Sequence, residues 1–419
     1  MTKRYYPRGG ANYLNRHAKT LLASALILAF NSAQAIVLTP PKNIGDWQGP
    51  GEWYKNENDD EINQFRLQGG TSASFDGVDA EISPLITNSE FFVSVENKSS
   101  LTITGTTKVT SISTEESNKK DRGTYTFRAT DGYIHFKGNV DVIVTHHPDV
   151  STKEIGANIY YAQNDGTIEI GDEGTTTKSW VIAAKPDLIS AKNGGEVIIK
   201  STHNMLVGSV DMVQNPGDLK NISNIKAGSV TGTFSGEDSY WFGDEQSFNN
   251  ISKEIVYTLK QYDGGSLADA IDNILSDEDF DFTFQNGAQW TYLDAFNVNF
   301  PGTSSLLFEN KRISKITLLD GGIINLFDKD ILEKLTKIGL WNLLDIDKNT
   351  LHHDYVRIGD LKGNNGIFRL DLNSDDRTQS DMIFIEGASE GGGRHWIEPY
   401  SPSQLVSVSA DNTLTFALT

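Results

Sequence analysis

Along most of this chain the apolar positions fall into short alternating runs, and each run is opened by a small turn. The clearest examples lie between Ile313 and Tyr400. Asp320-Gly321-Gly322 precedes Ile323, Ile324, Asn325 and Leu326. Asn364-Asn365-Gly366 precedes Ile367, then Phe368-Arg369-Leu370-Asp371-Leu372, where polar and apolar residues alternate and one face is therefore buried while the other is wet. Asp381 leads into Met382, Ile383, Phe384 and Ile385. Asn-Gly and Gly-Gly pairs supply the positive φ of a tight turn, and the β-branched and aromatic residues behind them favour strands.

The same grammar runs from about 81 to 250. Turn-then-strand units open at Asp131-Gly132, Asp165-Gly166, Asn193-Gly194-Gly195 and Ala227-Gly228. Counted through Gly194, their glycines follow at intervals of 34, 28 and 34 residues, and Gly287 to Gly321 is again 34. A loose period of this size signals stacked repeats, each too small to bury its own face. Strands at this spacing predict an all-β fold, a right-handed parallel β-helix (β-solenoid), in preference to a sandwich with hairpins every 8–12 residues or so. Two stretches break the pattern. Ser266 caps a helical pattern carrying Leu267, Ile271, Ile274 and Leu275, and Asp328 to Ile338 places Ile331, Leu332, Leu335 and Ile338 on one face. Both predict short helical excursions packed on the side of the solenoid. Residues 36–80 are dense in Pro, Gly and Asn and predict an N-terminal cap or irregular segment, with Trp47, Trp53 and Tyr54 covering the open end of the core. The aromatics of Gly232-Thr233-Phe234-Ser235-Gly236-Glu237-Asp238-Ser239-Tyr240-Trp241-Phe242-Gly243 read as the core of a rung, with a carbohydrate platform as the alternative.

Residues 1–35 read as a secretory signal peptide: a basic leader to Lys19, an apolar run Leu21–Phe30, and cleavage after Ala35 in Ala33-Gln34-Ala35. That apolar run falls well short of the roughly 20 residues needed to span a bilayer, so the rest is expected to be exported. The formal charge of the chain is −20, and the leader contributes five basic residues and no acids, which leaves −25 for the remainder. Such a surface repels phosphate backbones and argues against nucleic-acid binding. The chain has no cysteine. That suits a polypeptide threaded unfolded through a narrow pore, although a large core also makes disulfides dispensable.

No motif supplies a catalytic, cofactor or metal site. Gly171-Asp172-Glu173-Gly174 has the frame of a serine-protease motif without its serine, and no nucleophile elbow stands out. His146-His147-Pro148-Asp149 and His352-His353-Asp354 pair imidazoles with carboxylates, but adjacent strand residues point to opposite faces. Asp345-Ile346-Asp347-Lys348-Asn349 begins like a calcium loop and fails at Thr350 and Val356; Asp371-x-Asn373-x-Asp375 fails at Asp376 and Met382. Ser276-Asp277-Glu278-Asp279 reads as a solvated helix end.

The ladder Ile313-Ser314-Lys315-Ile316-Thr317-Leu318 with its Asp-Gly-Gly turn, the run Ile358 to Leu370, the Ser380-Asp381 step and the Gly387-Ala388-Ser389 turn together resemble the C-terminal, pertactin-like part of autotransporter passenger domains, the region called the autochaperone. The resemblance implies a secreted cell-surface passenger of type V secretion, a non-enzymatic adhesin or display protein contacting a host or neighbouring cell. It divides the mature chain into a solenoid passenger over 81–302 and a pertactin-like region over 303–419. The latter would act as a folding nucleus with Phe368, Leu370, Ile383 and Phe384 as core residues. The family continues into an outer-membrane β-barrel translocator, which these residues do not contain. That leaves a piece of a longer protein, a truncated gene product or half of a split pair as readings. A polysaccharide-active β-helix enzyme is the alternative function, since a fold alone does not fix one.

Overall fold

The computed structural model describes residues 36–55, 62–82, 91–112, 124–145, 156–182, 185–212, 227–245, 279–291, 312–327, 333, 336–337, 355–372, 380–385, 393–400 and 417–418. The strands follow the chain rung by rung. At the start lie β1 (Val37–Leu38) and β2 (Glu52–Lys55). Six three-strand rungs come next. The first three are β3 (Ile62–Leu67), β4 (Ser72–Phe75) and β5 (Gly77–Glu81); β6 (Phe91–Glu96), β7 (Ser100–Ile103) and β8 (Thr107–Ile112); and β9 (Thr124–Thr130), β10 (Tyr133–Phe136) and β11 (Val140–Thr145). The second three are β12 (Gly156–Gln163), β13 (Thr167–Ile170) and β14 (Thr176–Ile182); β15 (Lys185–Lys192), β16 (Glu196–Ile199) and β17 (His203–Val207); and β18 (Ser209–Asp211), β19 (Ser229–Ser235) and β20 (Tyr240–Phe242). Two-strand turns then follow: β21 (Asp279–Gln285) with β22 (Gln289–Thr291), and β23 (Arg312–Leu319) with β24 (Ile323–Asn325). Next are β25 (Tyr355–Asn364) with β26 (Ile367–Asp371), β27 (Met382–Ile385) with β28 (Trp396–Tyr400), and finally β29 (Ala417–Leu418).

These strands stack into three sheets. Sheet 1 runs β1-β5-β8-β11-β14-β17-β20-β22-β24-β26-β28 and sheet 2 runs from β4 through β7, β10, β13, β16, β19, β21, β23, β25 and β27 to β29. Sheet 3 runs β2-β3-β6-β9-β12-β15-β18. Every pairing is parallel except β2 on β3, so the chain is a parallel β-helix. Ten inter-strand steps of about 4.8 Å make each long sheet roughly 50 Å deep.

Each buried ladder places one residue per rung. In sheet 1 the register aligns Val109, Val142, Ser179, Leu206, Trp241, Trp290, Ile324, Phe368 and Ile397. The character of the core changes along this ladder. Where three sheets enclose it, Val, Ile, Leu and small hydroxyls fill most positions, with rings at Phe65, Phe75, Phe127, Phe136 and Tyr160. Where sheet 3 ends, Phe234, Trp241, Phe280, Phe282, Phe284 and Trp290 take over, all almost fully buried. Trp241 stacks on Trp290 at 6.1 Å, and Phe234 on Phe284 at 4.6 Å. Both indoles satisfy their N–H: Trp241 donates to the Gly208 carbonyl at 2.9 Å and Trp290 to the Gly243 carbonyl at 3.1 Å. A polar seam is satisfied in the same way. Asn204 Nδ2 donates to the carbonyls of Ser201 and Thr233 at 2.7 and 2.8 Å, and Tyr160 shares a hydrogen bond with Ser179 at 2.7 Å.

Residues 36–80, expected as a cap or irregular segment, contain β1 to β5, which join all three sheets. The breakers at Pro40 to Gly51 form the irregular part, with a single 3-10 turn at Ile44–Asp46. Trp47 packs edge-on against Trp53 and Phe65 at 5.9 Å, and Phe65 against Phe75 at 5.7 Å, closing the first rung. Among the described residues the other helical backbone is at Glu333, Thr336 and Lys337, all exposed. The apolar positions of that expected excursion, and the whole pattern after Ser266, lie outside the described residues.

Candidate functional surface

Outward positions alternate with the core ladders, so chemistry on this fold is displayed at one position per rung. The densest cluster sits on sheet 2. Register places His135 of β10 beside Glu169 of β13, and Lys200 follows β16. Glu169 Oε2 accepts from the Tyr133 hydroxyl at 2.6 Å and pairs with Lys200 Nζ at 2.6 Å. His135 Nε2 lies 2.9 Å from Asp172 Oδ1 and 3.5 Å from Glu169 Oε2. Burial pushes the Glu169 carboxyl up, but the hydrogen bonds from Lys200 and Tyr133 and the nearby positive charges outweigh it and hold the group below the ordinary glutamate value. Burial and the Glu169 hydrogen bond raise the Tyr133 phenol well above its usual range. Three rungs thus bring a carboxylate pair, an imidazole, a phenol and an ammonium together, with Glu169 paired to Lys200 and Asp172 hydrogen-bonded to His135.

A second set lines the outer side of sheet 3. Arg66 lies over Tyr54 and Phe91, with its guanidinium 5.3 and 5.1 Å from the ring centres, and Tyr125 meets Tyr161 at 4.5 Å. Further along, Lys192 Nζ is 2.6 Å from Asp211 Oδ2, and both are largely buried. Burial alone would lower the lysine; Asp211 and Asp187 outweigh it and raise it. These groups are tightly packed and serve the wall of the helix.

Of the residues expected in the folding nucleus, Phe368, Leu370 and Ile383 are buried in the core. Phe384 is not with them: it occupies the alternate position of β27, paired to Arg357 and Leu418, and is half-buried on the outer side. The aromatic platform suggested by Tyr240 and Phe242 is not available to a sugar, since their stacked rings are 5% and 0% exposed. Gly171 to Gly174 forms a tight turn held by Thr175 Oγ1 donating to the Asp172 carbonyl at 2.7 Å. Asp371 is bound into the strand edge, its amide donating to Asp381 Oδ2 at 2.6 Å. His146, His147, Asp149, His352, His353, Asp354 and the Asp345 loop lie outside the described residues, as do cleavage after Ala35 and the Gly387 turn.

Among the described residues no group of three His, Cys, Asp or Glu could hold a metal ion, and no helix is long and apolar enough to cross a membrane. The Tyr133–Lys200 cluster escaped the sequence reading because its members are scattered at irregular intervals over three rungs, and only the rung register joins His135 to Asp172, 37 residues on. Compared with known proteins, the chain matches no family model, no curated protein and no solved structure.

Proposed function

We propose that this chain is an exported, non-enzymatic surface solenoid, the passenger of an autotransporter-like system, acting in adhesion or display. The observation that carries this reading is the stack of parallel rungs itself: a rigid scaffold that offers long outward ladders of polar residues while its ionisable groups pair with one another. A surface built in this way holds a fixed array towards a neighbouring cell, and the −20 formal charge keeps it solvated. The signal-peptide pattern and the autochaperone-like C-terminal pattern support the same reading.

The test is display. The full chain is expressed from its own locus and protease is added to intact cells. Loss of the chain from intact cells, together with a translocator reading frame following codon 419 or lying beside it, supports a surface passenger. Protection from protease in intact cells, with no translocator gene nearby, overturns it. A second reading, a polysaccharide-active β-helix enzyme, is favoured by the Tyr133, His135, Glu169, Asp172 and Lys200 cluster on adjacent rungs. It predicts new reducing or unsaturated ends from acidic polysaccharides, lost in Glu169→Gln. Absence of turnover on such a panel, with and without calcium, removes it.

A further inference from the structure

Strand β28 is the last described strand of sheet 1, and His395 immediately precedes it. The His395 Nδ1 atom accepts a hydrogen bond from the Gly366 amide at 3.2 Å. A nitrogen that accepts carries no proton, so the neutral ring holds its proton on Nε2. Nε2 is buried and meets no partner. The ring also stands edge-on to Phe368, with centroids 5.5 Å apart. Only a glycine at 366 leaves room for this: a Cβ there would lie 2.7 Å from His395 Nδ1 and 2.5 Å from Leu318 Cβ. The neighbouring backbone fastens β28 to β26 through the Trp396 amide on the Gly366 carbonyl at 2.8 Å, and through the Asn365 amide on the Arg394 carbonyl at 2.7 Å.

The groups that meet the ring from β26 and the turn before it are Gly366 and Phe368, and Leu318 of β23 lies against Gly366; none of them titrates. On its own segment the charged neighbours are the exposed Arg394 and Glu398, whose carboxylate already accepts from Arg369 Nε at 2.8 Å. Among the described residues no carboxylate contacts the imidazole to offset a positive charge placed there.

We propose that His395 is a proton-operated latch: taking a proton at Nδ1 sets two N–H donors against each other and unseats β28 from β26. The sign follows from which form fits. Burial disfavours the charged ring in the folded state and lowers its proton affinity below the ordinary value of 6.5. The unfolded chain therefore binds the proton more readily, so the rung is fully held above that value and loosens as the pH falls through it. An acidic setting would then free β28 from its neighbour β26.

Hydrogen exchange on the full chain at about pH 7.5 and about pH 5, corrected for intrinsic chemistry, tests this. The Gly366 and Trp396 amides are expected to lose protection in acid while Ile323, on β24, keeps its protection. His395→Gln retains an acceptor without the titration and should show no such loss. Equal protection of the wild type at both values, or the same acid loss in His395→Gln, overturns the latch. Should His395→Gln be loose at both values, the wild type decides by NMR: the Trp396 indole signal must move with the midpoint of the His395 ring, and a different midpoint refutes the proposal.

Discussion

Glu245 and Ser314 meet across 69 positions of sequence: one carboxylate oxygen accepts the Ser314 amide at 2.7 Å and the other its hydroxyl at 2.8 Å. The contact lies beside β18, the last described strand of sheet 3. Glu245 bridges Val210 of β18 in parallel, and Ser314 lies near the start of the long strand β23. The buried Glu245 carboxylate thus ties the end of β18's neighbour to β23 through two donors. Glu245→Ala removes both acceptors and should destabilise the chain by about 2–3 kcal/mol, with Glu245→Gln losing about half of that. Urea unfolding reads it; an unchanged midpoint for Glu245→Ala would show that the bridge contributes nothing.

The glycines at the corner between sheets 3 and 2 are required for closeness rather than for backbone freedom. A Cβ at Gly132, Gly166, Gly195 or Gly228 would lie between 2.1 and 2.4 Å from the carbonyl oxygen of the preceding rung. Gly195→Ala should therefore cost about 3 kcal/mol. Gly174 has φ +84 but nothing within 4 Å, so Gly174→Ala should cost only about 1 kcal/mol of backbone strain. The order of the two melting temperatures is the check, and a reversed order would refute the stacking argument.

Phe368 and Phe384 are expected to separate. Phe368 fills the sheet 1 ladder between Ile324 and Ile397, so Phe368→Ala should cost about 3 kcal/mol. Phe384 lies on the outer side and should cost about 1 kcal/mol or less. If the C-terminal rungs nucleate folding, Phe368→Ala also slows refolding in stopped-flow measurements. A variant that only speeds unfolding would place the nucleus elsewhere.

Lys200 is the strongest of the groups holding Glu169 ionised. In Lys200→Met the Glu169 carboxyl should titrate at higher pH, read from its side-chain carbon resonance. The sign for stability follows: the depressed carboxyl adds stability above the ordinary glutamate value, and this is lost as the pH falls through the folded one. The variant should lose less stability in acid than the wild type. An unmoved titration would mean that Tyr133 and His135 suffice.

Much of this fold was legible from turn chemistry. Asn and Asp before Gly mark the corners, and positive φ occurs at Asp131, Asn193, Asn286, Asp320 and Asn365 as the runs behind them require. The register was not legible. Asn193-Gly194-Gly195 holds two glycines with different duties: Gly194 takes φ +74, while Gly195 makes the close approach. Only the second aligns with Gly166 and Gly228. The later turns at Gly287 and Gly321 stand at another corner, between sheets 2 and 1, so a matching interval there belongs to another column. Met382-Ile383-Phe384-Ile385 is apolar throughout, so its sequence carries no parity and cannot tell which ring turns inward. The charged cluster on sheet 2 was hidden for the same reason, since it exists only once rungs are in register.

The reversed strand β2 has a consequence for growth. A parallel spiral lengthens by copying its last strand, and each new coil must run the same way as the one beneath it. At the first coil the outermost strand of sheet 3 points the other way, and the Trp47 and Trp53 rings plug the bore. A strand added in parallel to that edge of sheet 3 finds no template running its way. The direction of a four-residue strand thus sets this edge of sheet 3 against simple parallel head-to-tail addition.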